Sequence, residues 1–123
     1  MHRVLIADPD RVLAARYRAA LEQGGFETQA AASGLECLAR LRAFRPHVLV
    51  LEPDLPWGAG EGVLALLRED ESLPGVSVVV VSARAASDGL GGQGQVRGHF
   101  QKPLEPRRLV GIVREVVPQA ATS

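Results

Sequence analysis

The stretch Val48-Leu49-Val50-Leu51-Glu52-Pro53-Asp54-Leu55-Pro56 runs four aliphatic residues straight into an acid and a proline. An apolar run that does not alternate suits a strand buried on both faces, as in a parallel sheet. Two similar runs lie to either side: Val4-Leu5-Ile6-Ala7 before Asp8, and Val76 to Val81 before Ser82. The segments between them have helical period. The first, Asp10 to about Gln23, keeps Leu13, Tyr17, Ala20 and Leu21 on one side and is stopped by Gly24-Gly25. A weaker strand, Glu27 to Ala31, leads to Ser33-Gly34-Leu35-Glu36, a capping box that starts a helix ending near Phe44. Cys37, Leu38, Leu41 and Phe44 form its inward stripe.

A third helix, from about Gly60 to Arg68, carries Val63, Leu64, Leu66 and Leu67. The last, from about Pro106 to Val117, repeats Leu109, Ile112, Val113, Val116 and Val117 at i, i+3, i+4, i+7, i+8. His99-Phe100-Gln101 supplies a brief fifth strand. Between Val81 and Lys102, four of the six positions from 89 to 94 are glycine. Each costs a helix interior about 0.8 to 1.0 kcal/mol relative to alanine, so a fourth helix there is predicted to be short or broken. Strands alternating with helices imply right-handed crossovers, hence one parallel sheet covered by helices on both faces.

The 123 residues allow one domain, taken as 1–118, with 119–123 as a small polar tail or linker. Fourteen Lys+Arg balance fourteen Asp+Glu, which leaves no broad basic surface for direct nucleic-acid binding. The apolar run before Asp8 is too short for a signal peptide or a membrane span, so a cytoplasmic protein without membrane contact is expected. The lone Cys37 belongs to packing.

Ligands of open parallel sheets bind beyond the carboxyl ends of the strands. The residues there are Asp8-Pro9-Asp10, Glu52-Pro53-Asp54, Ser82-Ala83 and Lys102-Pro103, so acids, a hydroxyl and the only lysine of the chain converge on one edge. A compact ammonium suits a narrow acidic pocket better than the fork of the thirteen arginines. No phosphate-cradling glycine loop follows a strand. His2, His47 and His99 have no metal-ligand spacing.

These same residues, with Pro46, Pro56 and Gly60, resemble the receiver domain of two-component response regulators from about Arg3 to Val117. The resemblance implies a flavodoxin-like (βα)5 three-layer sandwich with strand order 2-1-3-4-5 and a cis Lys102-Pro103 bond. It also implies signalling rather than enzymatic function, with a histidine kinase or a downstream effector domain as protein partner. In that family an aspartate after the third strand accepts a phosphoryl group, two acids after the first strand hold Mg²⁺, and a serine or threonine and a lysine contact the phosphoryl oxygens. Asp8, Ser82 and Lys102 match.

Two positions depart from the pattern. The acceptor position holds Glu52, whose extra methylene moves the attacking oxygen by on the order of 1 Å, enough to cost about 10²-fold. Pro9 replaces the second acid and offers no oxygen, and with Asp8 as N-cap and Pro9 as the first helical residue, Asp10 would point into the first turn. An Mg²⁺ site of Asp8, Asp10 and Glu52 is therefore expected to be weak or absent, and no other cofactor is expected. The longer Glu52 is expected to pair with Lys102. The expected function is a phosphorylation-independent, pseudo-receiver module, with a working phosphoacceptor at Glu52 or Asp54 as the alternative. Trp57 covers the pocket or packs beside it, and His99 stands where the family often has a switch tyrosine.

Overall fold

A computed structural model describes residues 1–56, 60–70, 75–84 and 95–117. Strands β1 (Arg3–Ala7), β2 (Glu27–Ala31), β3 (Val48–Leu51), β4 (Ser77–Ser82) and β5 (Val96–Gln101) form one sheet in the order β2-β1-β3-β4-β5. Every pairing is parallel. The described helices are α1 (Arg11–Gln23), α2 (Gly34–Phe44), α3 (Gly60–Glu69) and α4 (Pro106–Val116). None of the described helices is long and apolar enough to cross a membrane. The glycine-rich stretch 85–94, where the short or broken helix is predicted, lies outside the described residues, as do Trp57 and the tail 119–123.

The unbroken apolar runs explain the layering. Successive strand side chains point to opposite faces. Leu5, Leu49, Leu51, Val78 and Val80 meet Cys37 and Leu41 of α2 and Val63 and Leu67 of α3 on one side. Val4, Ile6, Val48, Val50, Val79 and Val81 meet Tyr17 and Leu21 of α1 and Leu109 and Val113 of α4 on the other. All four residues of β3 are buried, as a central strand requires.

Two local expectations are corrected. The cap of α1 is Asp10, whose carboxylate accepts the Leu13 N–H at 3.0 Å, and not Asp8 with Pro9 opening the helix. The fifth strand begins at Val96, three residues before the predicted His99, because its ladder with β4 continues back to Val78 through a register shift between Val78 and Val79. Gly98 sits in that added stretch, where a Cβ would meet the Phe100 ring at 2.7 Å. The α2 capping box forms as predicted at Ser33, which accepts the Glu36 N–H at 3.1 Å, while the Glu36 carboxylate reaches one residue further back to the Ala32 N–H at 2.6 Å.

Candidate functional site

Asp8, Glu52 and Lys102 are each set by one backbone bond that extends the sheet past its last paired residue. Asp8 N–H donates to the Ala31 carbonyl and Glu52 N–H to the Ala7 carbonyl, both at 2.9 Å. Lys102 N–H donates to the Ser82 carbonyl at 2.7 Å. The bond between Lys102 and Pro103 is cis. Asp8 and Glu52, leaving the adjacent strands β1 and β3, end side by side and nearly buried, 4% and 7% exposed.

Lys102 Nζ lies 2.8 Å from Asp8 Oδ2 and 2.9 Å from Glu52 Oε1. The remaining carboxylate oxygens are also occupied: Asp8 Oδ1 accepts the Asp10 N–H at 2.9 Å, and Glu52 Oε2 accepts the Asp54 N–H at 3.1 Å. Partial burial pushes the Lys102 ammonium toward losing its proton, but its hydrogen bonds to the two carboxylates, and their charges, outweigh that and raise its pKa. The sequence expectation that Glu52 reaches Lys102 agrees with this geometry.

Ser82 is buried at the end of β4, where its hydroxyl accepts the Arg84 N–H at 3.1 Å. Asp10 is turned into the helix cap and away from the Asp8–Glu52 pair. Asp54 stands outside the pocket, half-exposed, with Oδ2 3.3 Å from Arg84 Nε. Among the described residues, no group of three His, Cys, Asp or Glu is arranged to hold a metal ion. Cys37 is fully buried, and that burial pushes its thiol up to about 12, which leaves it inert as a nucleophile.

Two contributors escaped the sequence reading. Tyr17, read there as one more apolar member of its helix stripe, donates its hydroxyl to the Leu104 carbonyl at 3.0 Å and so ties α1 to the chain just after Lys102. Burial is the main cause that raises its pKa, with the Lys102 charge opposing. The other is Arg84, which engages Asp54. Tyr17 and Lys102 also line a cavity of about 390 Å³ with Pro103, Leu104 and Pro106.

The sequence profile of the response regulator receiver domain matches residues 4–114. The DNA-binding response regulator MtrA of Mycobacterium tuberculosis is 32% identical over 114 residues, 91% of this chain and 49% of that protein. The chain thus spans about half the length of these relatives. The polar-differentiation response regulator DivK of Brucella suis is 27% identical over 119 residues, 95% of this chain and 97% of that one. Among solved structures, a CheY-like receiver domain protein from Methanospirillum hungatei superposes with a TM-score of 0.82 at 24% identity, covering 94% of this chain and 92% of its own. A receiver domain protein from Clostridium thermocellum superposes with a TM-score of 0.85 at 17% identity, covering 99% and 98%. With the strand order and the family profile in agreement, the chain belongs to the response regulator receiver domains of two-component signalling.

Proposed function

We propose that this receiver domain, taken as residues 1–118, signals through protein–protein contacts in the cytoplasm without being phosphorylated and without catalysing a reaction. The observation that carries this reading is that a glutamate stands at the acceptor position with both oxygens held: each of the four oxygens of Asp8 and Glu52 accepts a hydrogen bond, two of them from Lys102. Each oxygen keeps a second lone pair, so the obstacle is one of position: both Glu52 oxygens are held by fixed donors, and the extra methylene displaces the attacking oxygen from where an aspartate would hold it.

Family members use Mg²⁺, but the residues here do not fit it. Pro9 has no side-chain oxygen, Asp10 caps α1, and the two remaining acids share the Lys102 ammonium where a divalent ion would have to sit. Mg²⁺ demands near-octahedral oxygens and is reluctant to shed water, so displacing a hydrogen-bonded ammonium to gain two ligands is unfavourable.

The partner class is a kinase or an effector domain. DNA binding in the MtrA relatives belongs to proteins of which this chain matches about half, and the balanced charge of this chain argues against a direct nucleic-acid role for it. A second reading rests on Asp54, whose carboxylate is half-exposed beside Arg84 and therefore open to a phosphoryl donor. Incubation with acetyl phosphate and Mg²⁺ followed by intact-mass measurement separates the two. The expected spectrum is unchanged. A gain of about 80 Da, one phosphoryl group, would overturn the first reading, in favour of the second if it maps to Asp54 and of a working acceptor at Glu52 if it maps there.

A further inference from the structure

A second cavity, of about 270 Å³, opens beyond the end of β2, between α1 on one face of the sheet and α2 on the other. One stripe of α1 faces it, Arg11, Ala14, Ala15 and Arg18 at i, i+3, i+4 and i+7. Ala30, Ala31 and Ala32 line it from the end of β2, and Glu36 and Arg40 of α2 stand at the opposite wall. The alanine methyls leave the space, and the arginines supply its charge.

Both acids at the wall are already engaged, Asp8 by Lys102 and Glu36 by the Ala32 N–H. Of the three guanidinium groups, Arg18 has a carboxylate partner, Glu22, and Arg40 and Arg11 have none among the described residues. Arg40 donates one bond, from a terminal nitrogen to Gln29 Oε1 at 2.9 Å, while its Nε is shielded from solvent and has no hydrogen-bond partner among the described residues. Arg18 is steadied by Thr28 Oγ1 at 3.1 Å and lies 3.5 Å from the exposed Glu22. Nothing among the described residues pairs with Arg11. Arginine presents five donors in a rigid fork, so the terminal nitrogens that these contacts leave over on Arg40, Arg18 and Arg11 can exchange water for an anionic acceptor in the cavity.

We propose that this cavity binds a small organic anion, a carboxylate or phosphate monoester on a flat apolar body, with the acidic group held by Arg40, Arg18 and Arg11 and the body lying on the alanine floor. Bidentate arginine bonding suits both acidic groups. The volume falls just under the roughly 300 Å³ at which drug-sized pockets begin, which selects a single-ring ligand. The inference stands on this cavity alone and does not depend on whether Glu52 accepts phosphate.

The test is titration of the whole ¹⁵N-labelled chain at constant ionic strength with benzoate, phenyl phosphate, inorganic phosphate and, as an uncharged control, benzyl alcohol. Expected are saturable shifts of the Ala14, Ala15 and Ala30–Ala32 amides with benzoate or phenyl phosphate, weaker binding of inorganic phosphate, and none with benzyl alcohol. Arg40→Lys should weaken binding at least about tenfold, because lysine keeps the charge but loses the fork, while Arg107→Lys on the exposed face of α4 leaves it unchanged. Ala15→Leu, at an exposed helical position, removes no charge and should abolish binding by filling the space. The proposal is overturned if no probe saturates, if Arg40→Lys binds as tightly as the wild type, or if Ala15→Leu still binds. Inorganic phosphate binding as tightly as phenyl phosphate would overturn the role given to the alanine floor. Unchanged thermal unfolding of Arg40→Lys and Ala15→Leu shows that the variants remain folded.

Discussion

At Lys102, one ammonium is shared by two carboxylates that the strands have carried out of water, offsetting one of their two charges. Removing one member of such a group costs more than the group itself contributes, because the survivors remain buried without a counter-charge. Lys102→Met is expected to lower stability by roughly 3 kcal/mol, the low end for a buried pair because the lysine retains some exposure. Urea unfolding of Lys102→Met and of the triple variant that adds Asp8→Asn and Glu52→Gln checks this. The triple variant should recover a large part of the loss, since its amides need no cation. Equal destabilisation of the two would show that packing, not charge, dominates.

Among the elements, α2 depends on Ser33 to satisfy the exposed N–H of its first turn. Ser33→Ala is expected to cost about 1 kcal/mol, visible as a lower urea midpoint with an unchanged slope. That cap was legible because serine and glutamate three apart form a local signal that needs nothing from the rest of the fold. The local rule places the α1 cap two residues early because Asp8 and Asp10 flank Pro9 and both fit it. The choice was made by Lys102, 94 positions away in sequence, which takes one Asp8 oxygen while the Asp10 N–H takes the other. The early start of β5 was hidden for a related reason: Val96-Arg97-Gly98 is an edge segment whose only strand signal is the ladder it forms with β4. Asp8, Glu52 and Ser82 are legible since each ends an apolar run, and Lys102 because it is the only lysine of the chain and precedes a proline. The arginine-lined cavity was not, because its lining comes from three elements and no spacing announces it.

For the whole molecule, the strongest pH sensitivity from the named groups falls on the alkaline side. The raised pKa of Lys102 means that its contribution is fully present below its ordinary value of 10.5 and is lost as pH rises through the higher folded value. Tyr17, also raised above its ordinary 10.0, keeps its proton longer in the folded chain and moves stability in the same direction over an overlapping range. Cys37, whose burial raises its thiol from 9.0 to about 12, moves stability the same way from about pH 9, so urea midpoints should fall above about pH 9, and beyond about pH 10 fall less in Tyr17→Phe and in Lys102→Met than in the wild type. An equal fall in all three proteins would assign the effect to other groups.

The glycine in β5 is required by a neighbour and not by a dihedral angle. Only Gly25 and Gly75 among the described glycines have positive φ, whereas at Gly98 the restriction is the Phe100 ring lying across its Cα. Phe100 in turn packs onto the α1–α4 layer. Gly98→Ala should cost about 1 to 3 kcal/mol through displacement of that ring, and Phe100→Leu should recover part of the loss, as unfolding midpoints of the two single variants and the double would report. Positions 98 and 100 thus form a steric lock on the outer seam of the sheet: bulk can be gained at one only if it is surrendered at the other.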